Sequence, residues 1–341
     1  MKIKNNVSLS KMNSLRINAT AEQFAIVERP EHILQLISSK ITQTTPYHIL
    51  GDGCNILFVS DYLNCLIIKN NLKTKMNIKD CGDHFNIIAS SGFEFDDLLQ
   101  HFLKYQQNND LRIYGMENLA KIPSQVGSAV VQNIGAYGVE QSDFFSQCKA
   151  IDMNTGIERI FTASDCQFKY RSSLFKCIDN QYFITEVCYS IPKGNSANIS
   201  YPELNRKFTI GKEPTPSDIY SAVAGIRQSK LPDIKKLANA GSFFKNPIIS
   251  IEQFSKLLLE YPNIPNYQAD ERIKIPAAFL IDNCGLKGKK IGDVGLFENH
   301  SLILVNHGNA TGKDVLLFAN EIIHTVKNKF GIILEPEVIL I

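Results

Sequence analysis

The sequence contains no tryptophan, and that absence decides nothing about fold or chemistry. Other shortages exclude more. None of the eight cysteines, at positions 54, 65, 81, 148, 166, 177, 188 and 284, forms a Cys-x-x-Cys pair or clusters with the seven histidines, which argues against a metal centre and a disulfide framework. No run approaches the ~18 apolar residues a membrane-spanning helix needs, and the opening MKIKNNVSLSKMNSL lacks the apolar core of a secretory signal. These absences point to the reducing cytoplasm. Net charge is only +2, which argues against bulk nucleic-acid binding; Lys235-Lys236 and the run from Lys287 to Lys290 read as solvated turns, with phosphate contact as the alternative. No Gly-x-Gly-x-x-Gly follows a strand pattern, so the dinucleotide-binding fingerprint is missing as well.

What is present is a chain of 341 residues, 44% hydrophobic, long enough for two or three domains with a core each. Its most unusual stretch runs from Tyr114 to Glu140. Gly115, Gly127, Gly135 and Gly138 interrupt it, and Ala120, Ser124, Ser128, Ala129 and Ala136 lie between them, leaving the backbone open to an incoming group. The Gly135-Ala136-Tyr137-Gly138 run does not suit the interior of a helix or strand, and Ile122-Pro123 breaks the run before it. A loop-rich, glycine-lined cradle is expected. From the glycines alone, tight turns in a sheet are equally consistent.

Around this stretch the chain alternates. Residues 23–27 read as a strand, Pro30-Glu31 opens a helix through Ile33, Leu34 and Ile37, and Tyr47 to Leu50 reads as a second strand. Gly51-Asp52-Gly53-Cys54-Asn55 then forms a turn before a strand from Ile56 to Val59. Phe85 to Ser90 reads as a strand, and a helix starting near Phe93 places Phe95, Leu98, Leu99, Phe102 and Leu103 on one face. Asn154-Thr155-Gly156 signals a hairpin. Ser217 is expected to cap a helix ending by Leu231-Pro232, Ser250 a second helix, and Pro276 to open a third that Gly285 ends. Leu302 to Asn306 reads as a buried strand. Thr311 with Asp314 forms a capping box for a last helix burying Val315, Leu316, Ala319, Ile322, Ile323, Val326 and Phe330.

Four motifs in a fixed order carry a family resemblance: Gly51 to Asn55, Gly115 to Gly138, Tyr170-Arg171-Ser172 with Phe175-Lys176, and Gly241-Ser242-Phe243-Phe244-Lys245-Asn246-Pro247, followed by a terminal Glu335-Pro336-Glu337-Val338. Together they resemble the UDP-N-acetylenolpyruvoylglucosamine reductases over nearly the whole chain. The resemblance implies an α+β fold, with a two-subdomain FAD-binding module of the vanillyl-alcohol-oxidase-like type (residues 1–70 and 71–230) and a C-terminal α+β substrate domain (231–341). It implies FAD held by Gly51, Gly53, Cys54, Asn55, Ile122, Gly127, Ser128, Asn133, Gly135, Ala136, Tyr137 and Gly138. It places Tyr170, Tyr201, Lys230 and Asn246 on the substrate, with Tyr201 on a covering loop and Arg227 near Lys230 at a position that faces substrate.

The implied activity is NADPH-dependent reduction of UDP-N-acetylglucosamine enolpyruvate to UDP-N-acetylmuramate, a step of peptidoglycan synthesis. Arg171 would hold the enolpyruvyl carboxylate, because its fork suits a bidentate acid. Glu337 would support that carboxylate or the developing enolate as a protonated or hydrogen-bonded acid. Ser242 has no histidine nearby to make it a nucleophile and reads as the proton donor to C2. No metal, nucleic acid, membrane or obligate protein partner is expected. Two departures stand out: Cys54 replaces a serine, and Leu296-Phe297 lies where relatives often carry a histidine. Another oxidoreductase of the same flavin fold, or a non-catalytic UDP-sugar or flavin-binding protein, are the alternatives.

Overall fold

The computed structural model describes residues 1–178, 180–208, 211 and 213–341. The chain divides into two compact units. The first comprises Met1–Val7, Ala21–Asp52 and Asn64–Ser229; the second comprises Ser8–Thr20, Gly53–Leu63 and Lys230–Ile341.

The first unit carries two sheets. A four-stranded sheet runs in the order Lys4–Ser8, Thr20–Val27, Tyr62–Asn70, Tyr47–Leu50, and its last pair is parallel, with Tyr47 opposite Leu66. The helix Pro30–Ser38 packs its Ile33 and Leu36 into the small core formed by Ala25, Val27, Leu66 and Ile68. Leu34, expected on that face, is 43% exposed, because it lies about 100° around the helix from Ile33. A five-stranded antiparallel sheet follows, in the order Glu158–Thr162, Phe145–Asp152, Tyr182–Pro192, His84–Ser90, Met76–Asp80. The helix Phe95–Asn108 buries Phe95, Leu98, Leu99 and Phe102 in the core with this sheet. It begins two residues later than the apolar pattern suggested, since Glu94 is still extended. Gly156, with φ of +75°, closes the expected hairpin, and Asp152 Oδ1 accepts from the amides of Asn154 and Thr155.

The glycine-rich stretch is less loop-like than its composition implied. It holds a 3₁₀ turn Met116–Leu119 and a helix Val126–Gln132. Gly135–Ala136 then pairs antiparallel with Val139–Glu140 in a two-residue hairpin. Gly135 and Ala136 therefore do lie in a strand, a very short one, and the bend is taken by Tyr137 and Gly138, both at positive φ. The helix Pro216–Lys230 also differs in its start: Thr215 is the capping residue, exchanging hydrogen bonds with Asp218, while Ser217 instead accepts from Gln107 Nε2. Proline at the first helical position explains the shift, because the cap then falls one residue before it.

The second unit holds a sheet in the order Ala238–Ser242, His300–Asn306, Val294–Phe297, Lys290–Ile291, and a smaller one in the order Ile248–Ile249, Arg272–Lys274, Tyr267–Ala269. Helix Gly312–Phe330 starts at the Thr311–Asp314 box and ends at Gly331, whose φ is +66°. It buries Val315, Phe318, Ala319, Ile322, Val326 and Phe330, whereas Leu316 and Ile323 are only half-buried. The C-terminal Ile339–Leu340 pairs in parallel with Ile56–Leu57, the only part of the expected 56–59 strand that is regular.

Candidate functional site

In the first unit the candidate residues gather around the Gly135–Glu140 hairpin. Arg171 sits at the tip of a tight turn, Lys169 and Ser172 exchanging both backbone hydrogen bonds, and takes a positive φ of 54°. A non-glycine residue there is strained, and such strain persists only where surrounding structure enforces it. Here the guanidinium is tied down: its Nη2 donates to Gly135 O at 2.6 Å, its Nη1 lies 3.8 Å from Glu140 Oε1, and it stacks over the Tyr170 ring at 5.1 Å. Asn133, buried and also at positive φ, donates to Glu140 Oε2 and to Lys169 O, joining hairpin and turn. Gly135 is required by close approach, for a Cβ there would meet Val139 O and Glu140 Cγ at 2.9 Å and Arg171 Nη1 at 3.1 Å.

Tyr201 joins the same neighbourhood. Its ring meets that of Tyr137 edge-on, with centroids 5.2 Å apart. The buried Asn118 amide donates to both Tyr137 O and Asn198 O, so one side chain holds the hairpin and the segment leading to Tyr201. Arg227 lies nearby with its Nε buried and without a partner among the described residues. Burial lowers its pKa from the ordinary arginine value, and the charge of Arg171 adds to that effect. Two guanidinium groups near one hairpin make this the cationic side of the candidate site.

Gly51 and Asp52 end the parallel strand. Lys69 Nζ donates to Gly51 O at 2.6 Å and to Asp52 Oδ1 at 2.9 Å, and Gln125 Nε2 donates to Asp52 Oδ1 at 2.9 Å. Gly51 is packed close to the helix Val126–Gln132, since a Cβ on it would fall 2.3 Å from Ser128 Oγ. Gly127 is as closely placed on Ser91, at 2.8 Å. The half-buried Ile122 packs against the core beneath. A flavin dinucleotide brings hydroxyl and N–H donors, and the cradle offers acceptors in need of them: Gln125 Oε1 and Asn118 Oδ1 are buried with no partner among the described residues. The residues present fit the cofactor. Gln125, Asn118 and Glu117, all buried, were not singled out in the sequence. Glu117 accepts from the Gly115 amide at 2.7 Å, and burial pushes its carboxyl up to about 7.

In the second unit Ser242 and Glu337 are brought together. Ser242 pairs with Ile303 at the end of its strand, and the next residue, Phe243, donates to Leu302 O and accepts from the Glu337 amide at 2.8 Å. Lys245 N in turn donates to Glu335 O, so residues 241–245 are held between a sheet strand and the terminal Glu-Pro-Glu run. Phe243 and Phe244, both almost fully buried, lock the segment from within. Asn55 Nδ2 donates to Glu337 O at 3.3 Å, placing the end of the 51–55 turn beside the same glutamate. Gly53 admits no side chain, having φ of +67° and a Cβ position 2.0 Å from Met12 O. The Cys54 carbonyl accepts from Ser14 Oγ at 3.4 Å. Asn246 Oδ1 accepts from the Ala277 amide at the start of the helix Ala277–Asn283. Lys230 is exposed. His300, missed in the sequence, stands opposite Phe297 across the strand pair; burial and then the Lys230 charge lower its pKa, which favours the neutral imidazole.

A family model for the UDP-N-acetylenolpyruvoylglucosamine reductase C-terminal domain matches residues 233–341. A protein of that name from Flavobacterium johnsoniae is 39% identical over 343 residues, covering 99% of each chain. The chain belongs to the UDP-N-acetylenolpyruvoylglucosamine reductase family. Another member, from Bdellovibrio bacteriovorus, is 38% identical over 339 residues and again covers 99% of both. Among solved structures, the reductase from Thermus caldophilus aligns with a TM-score of 0.67 at 23% identity, over 100% of this chain and 99% of that one. p-Cresol methylhydroxylase aligns with a TM-score of 0.50 at 10% identity, over 96% and 83%. These two likenesses concern the fold, and they agree with the expected vanillyl-alcohol-oxidase-like architecture. Among the described residues no helix is long and apolar enough to cross a membrane, and no group of acidic, histidine and cysteine side chains is arranged to hold a metal.

Proposed function

We propose that this protein reduces the enolpyruvyl ether of UDP-N-acetylglucosamine enolpyruvate with NADPH, through bound FAD, giving UDP-N-acetylmuramate. The observation that supports the residue assignment is the backbone hydrogen bond from the Glu337 amide to Phe243 O, which ties the residue after Ser242 to the terminal glutamate. Bound FAD, once reduced by NADPH, supplies the hydride. Gly51, Gly127, Ser128 and Gly135 to Gly138, with the orphan acceptors of Gln125 and Asn118, would hold it.

Addition of hydride to C3 of an enol ether leaves negative charge on C2 and the adjacent carboxylate, so the protein must receive that charge. Arg171 takes the carboxylate through its guanidinium fork. Its strained, tied-down backbone keeps that fork oriented before substrate arrives. Ser242 gives its hydroxyl proton to C2 and regains one from solvent. Glu337 supports the carboxylate end. Tyr170, Tyr201, Lys230, Asn246 and Arg227 bind the rest of the anionic sugar nucleotide. The proposal includes a cytoplasmic location, a functional division into residues 1–70, 71–230 and 231–341, and no nucleic-acid, membrane or obligate protein partner.

The test is spectroscopic. The purified protein should be yellow, bleach with NADPH and regain its colour when the enolpyruvyl sugar is added, and the flavin released on denaturation should be FAD. Bleaching without recovery on substrate would favour another oxidoreductase of this fold. A colourless protein after incubation with excess FAD would overturn the reading.

A further inference from the structure

Asn118 lies in the 3₁₀ turn Met116–Leu119 and is fully buried, so its amide group must find partners inside the protein. Its nitrogen carries two hydrogens, and both go to backbone carbonyls far apart in the chain: Nδ2 donates to Tyr137 O at 2.9 Å and to Asn198 O at 2.9 Å. Tyr137 O belongs to the bend of the Gly135–Glu140 hairpin, whose Gly135 O holds the Arg171 guanidinium. Asn198 O belongs to the segment that runs up to Tyr201. The Asn198 side chain returns to the same bend, its Nδ2 donating to Gly138 O at 3.3 Å while its Oδ1 accepts from the Ser200 amide and hydroxyl. Ala197, Ile199 and Tyr201 also pack with Tyr137 against a small core that includes Leu204 and Ile219. Such apolar contacts are non-directional and fix no register; the amide bonds do.

We propose that Asn118 is a positioning residue for the cover over the sugar nucleotide: by holding Tyr137 O and Asn198 O on one amide group, it sets the Tyr201 ring against the Tyr137 ring and keeps both in register with the hairpin that orients Arg171. The inference rests on the preceding reading, in which Tyr201 binds the sugar nucleotide. The ring contact is edge-on, with centroids 5.2 Å apart and planes at 84°, an arrangement that aromatic pairs favour but that a sliding segment would lose. Truncating Asn118 strips two carbonyls of their shared donor and lets the segment take up other placements. Affinity for the sugar nucleotide then falls with the fraction of molecules whose cover is in place. Because Asn118 acts on the ligand through Tyr201, the effects of the two residues are not additive. Its Oδ1, which the preceding reading gives to FAD, is a separate contact, and saturating FAD keeps it out of the comparison.

The experiment titrates UDP-N-acetylmuramate into the holoprotein under saturating FAD, by calorimetry, in the parent, Asn118→Ala, Tyr201→Ala and the double variant. Asn118→Ala should raise Kd about tenfold, which corresponds to a cover in place about one tenth of the time. In the Tyr201→Ala background the same change should raise Kd by less than about twofold, because the ring it positions is gone. A merely structural role would weaken binding by the same factor in both backgrounds. Asn198→Ala removes the bond to Gly138 O at a half-buried position and should show the same dependence on Tyr201, which keeps the test in force if Asn118→Ala does not fold. Equal factors in the two backgrounds, or parent-like affinity in Asn118→Ala (in Asn198→Ala where the former does not fold), would overturn this proposal alone. A parent that does not bind the sugar nucleotide when loaded with FAD, or a Tyr201→Ala variant that binds it as tightly as the parent, would overturn the preceding reading of the site and this inference with it.

Discussion

Replacing Gly135 by alanine adds a single methyl group, and the structure says where it goes. The Cβ would lie 2.9 Å from the backbone oxygen of Val139, 2.9 Å from Glu140 Cγ and 3.1 Å from Arg171 Nη1. The Glu140 side chain can yield. The carbonyl of Val139 belongs to the paired strand and cannot move without opening a two-residue hairpin. Overpacking of this kind costs about 1 to 3 kcal/mol, and about 2 to 4 °C of Tm accompanies each kcal/mol for a unit of this size. The second consequence is chemical, because Gly135 O is the acceptor that orients the Arg171 guanidinium. A displacement near 1 Å at a positioning group can reduce rate by about 10²-fold. Gly135→Ala should therefore lower Tm by several degrees and slow reoxidation of the reduced flavin by substrate on the order of 100-fold. Gly194→Ala is the control, since nothing lies within 4 Å of its Cβ position. Thermal denaturation and stopped-flow absorbance read both effects. If Gly135→Ala matches Gly194→Ala in both, the hairpin does not position Arg171.

Arg171→Lys keeps the charge but loses both the fork and the bond to Gly135 O, so reduction of the flavin by NADPH should survive while its reoxidation by substrate slows; equal rates in both half-reactions would contradict this. Glu337→Gln should show the same split, with flavin content unchanged. Glu117 predicts a stability profile: its folded carboxyl titrates near 7 and its unfolded one near 4.5, so the native state alone keeps the proton between those values and stability declines as pH rises through that window, by on the order of 3 kcal/mol. Denaturant melts of Glu117→Gln should show that decline reduced, and an unchanged slope would place the titration elsewhere.

Local patterns in the sequence foretold most helices and strands because each rests on contacts close along the chain. The Thr311–Asp314 box and Gly331 mark their helix within a turn at each end. Where neighbours along the chain competed, the reading slipped. Ser217 and Thr215 are both good capping residues, and the intervening proline decides between them. The short helix Val126–Gln132 hid among glycines because it is packed through close approaches at Gly127 to Ser91 and at Ser128 to Gly51, contacts that no local pattern displays. The same limit applies to the candidate site. Ser242, Glu337 and Arg171 stand in recognisable motifs, but the bond that sets Phe243 against Glu337 spans more than 90 residues, and the Arg171 to Gly135 bond more than 30. Gln125 was invisible for a further reason: its significance is burial beside Asp52, a property of tertiary packing rather than of residue type.

The most direct test of the account is the pair of half-reactions in Ser242→Ala. Reduction of the flavin by NADPH needs no proton at the sugar and should proceed at the parent rate, with FAD content and Tm unchanged. Reoxidation by the enolpyruvyl sugar should slow by at least about 10², the usual worth of general acid catalysis, or about 3 kcal/mol of barrier. Parent-like reoxidation would show that Ser242 is not the acid, and loss of both half-reactions together with flavin content would make it a structural serine.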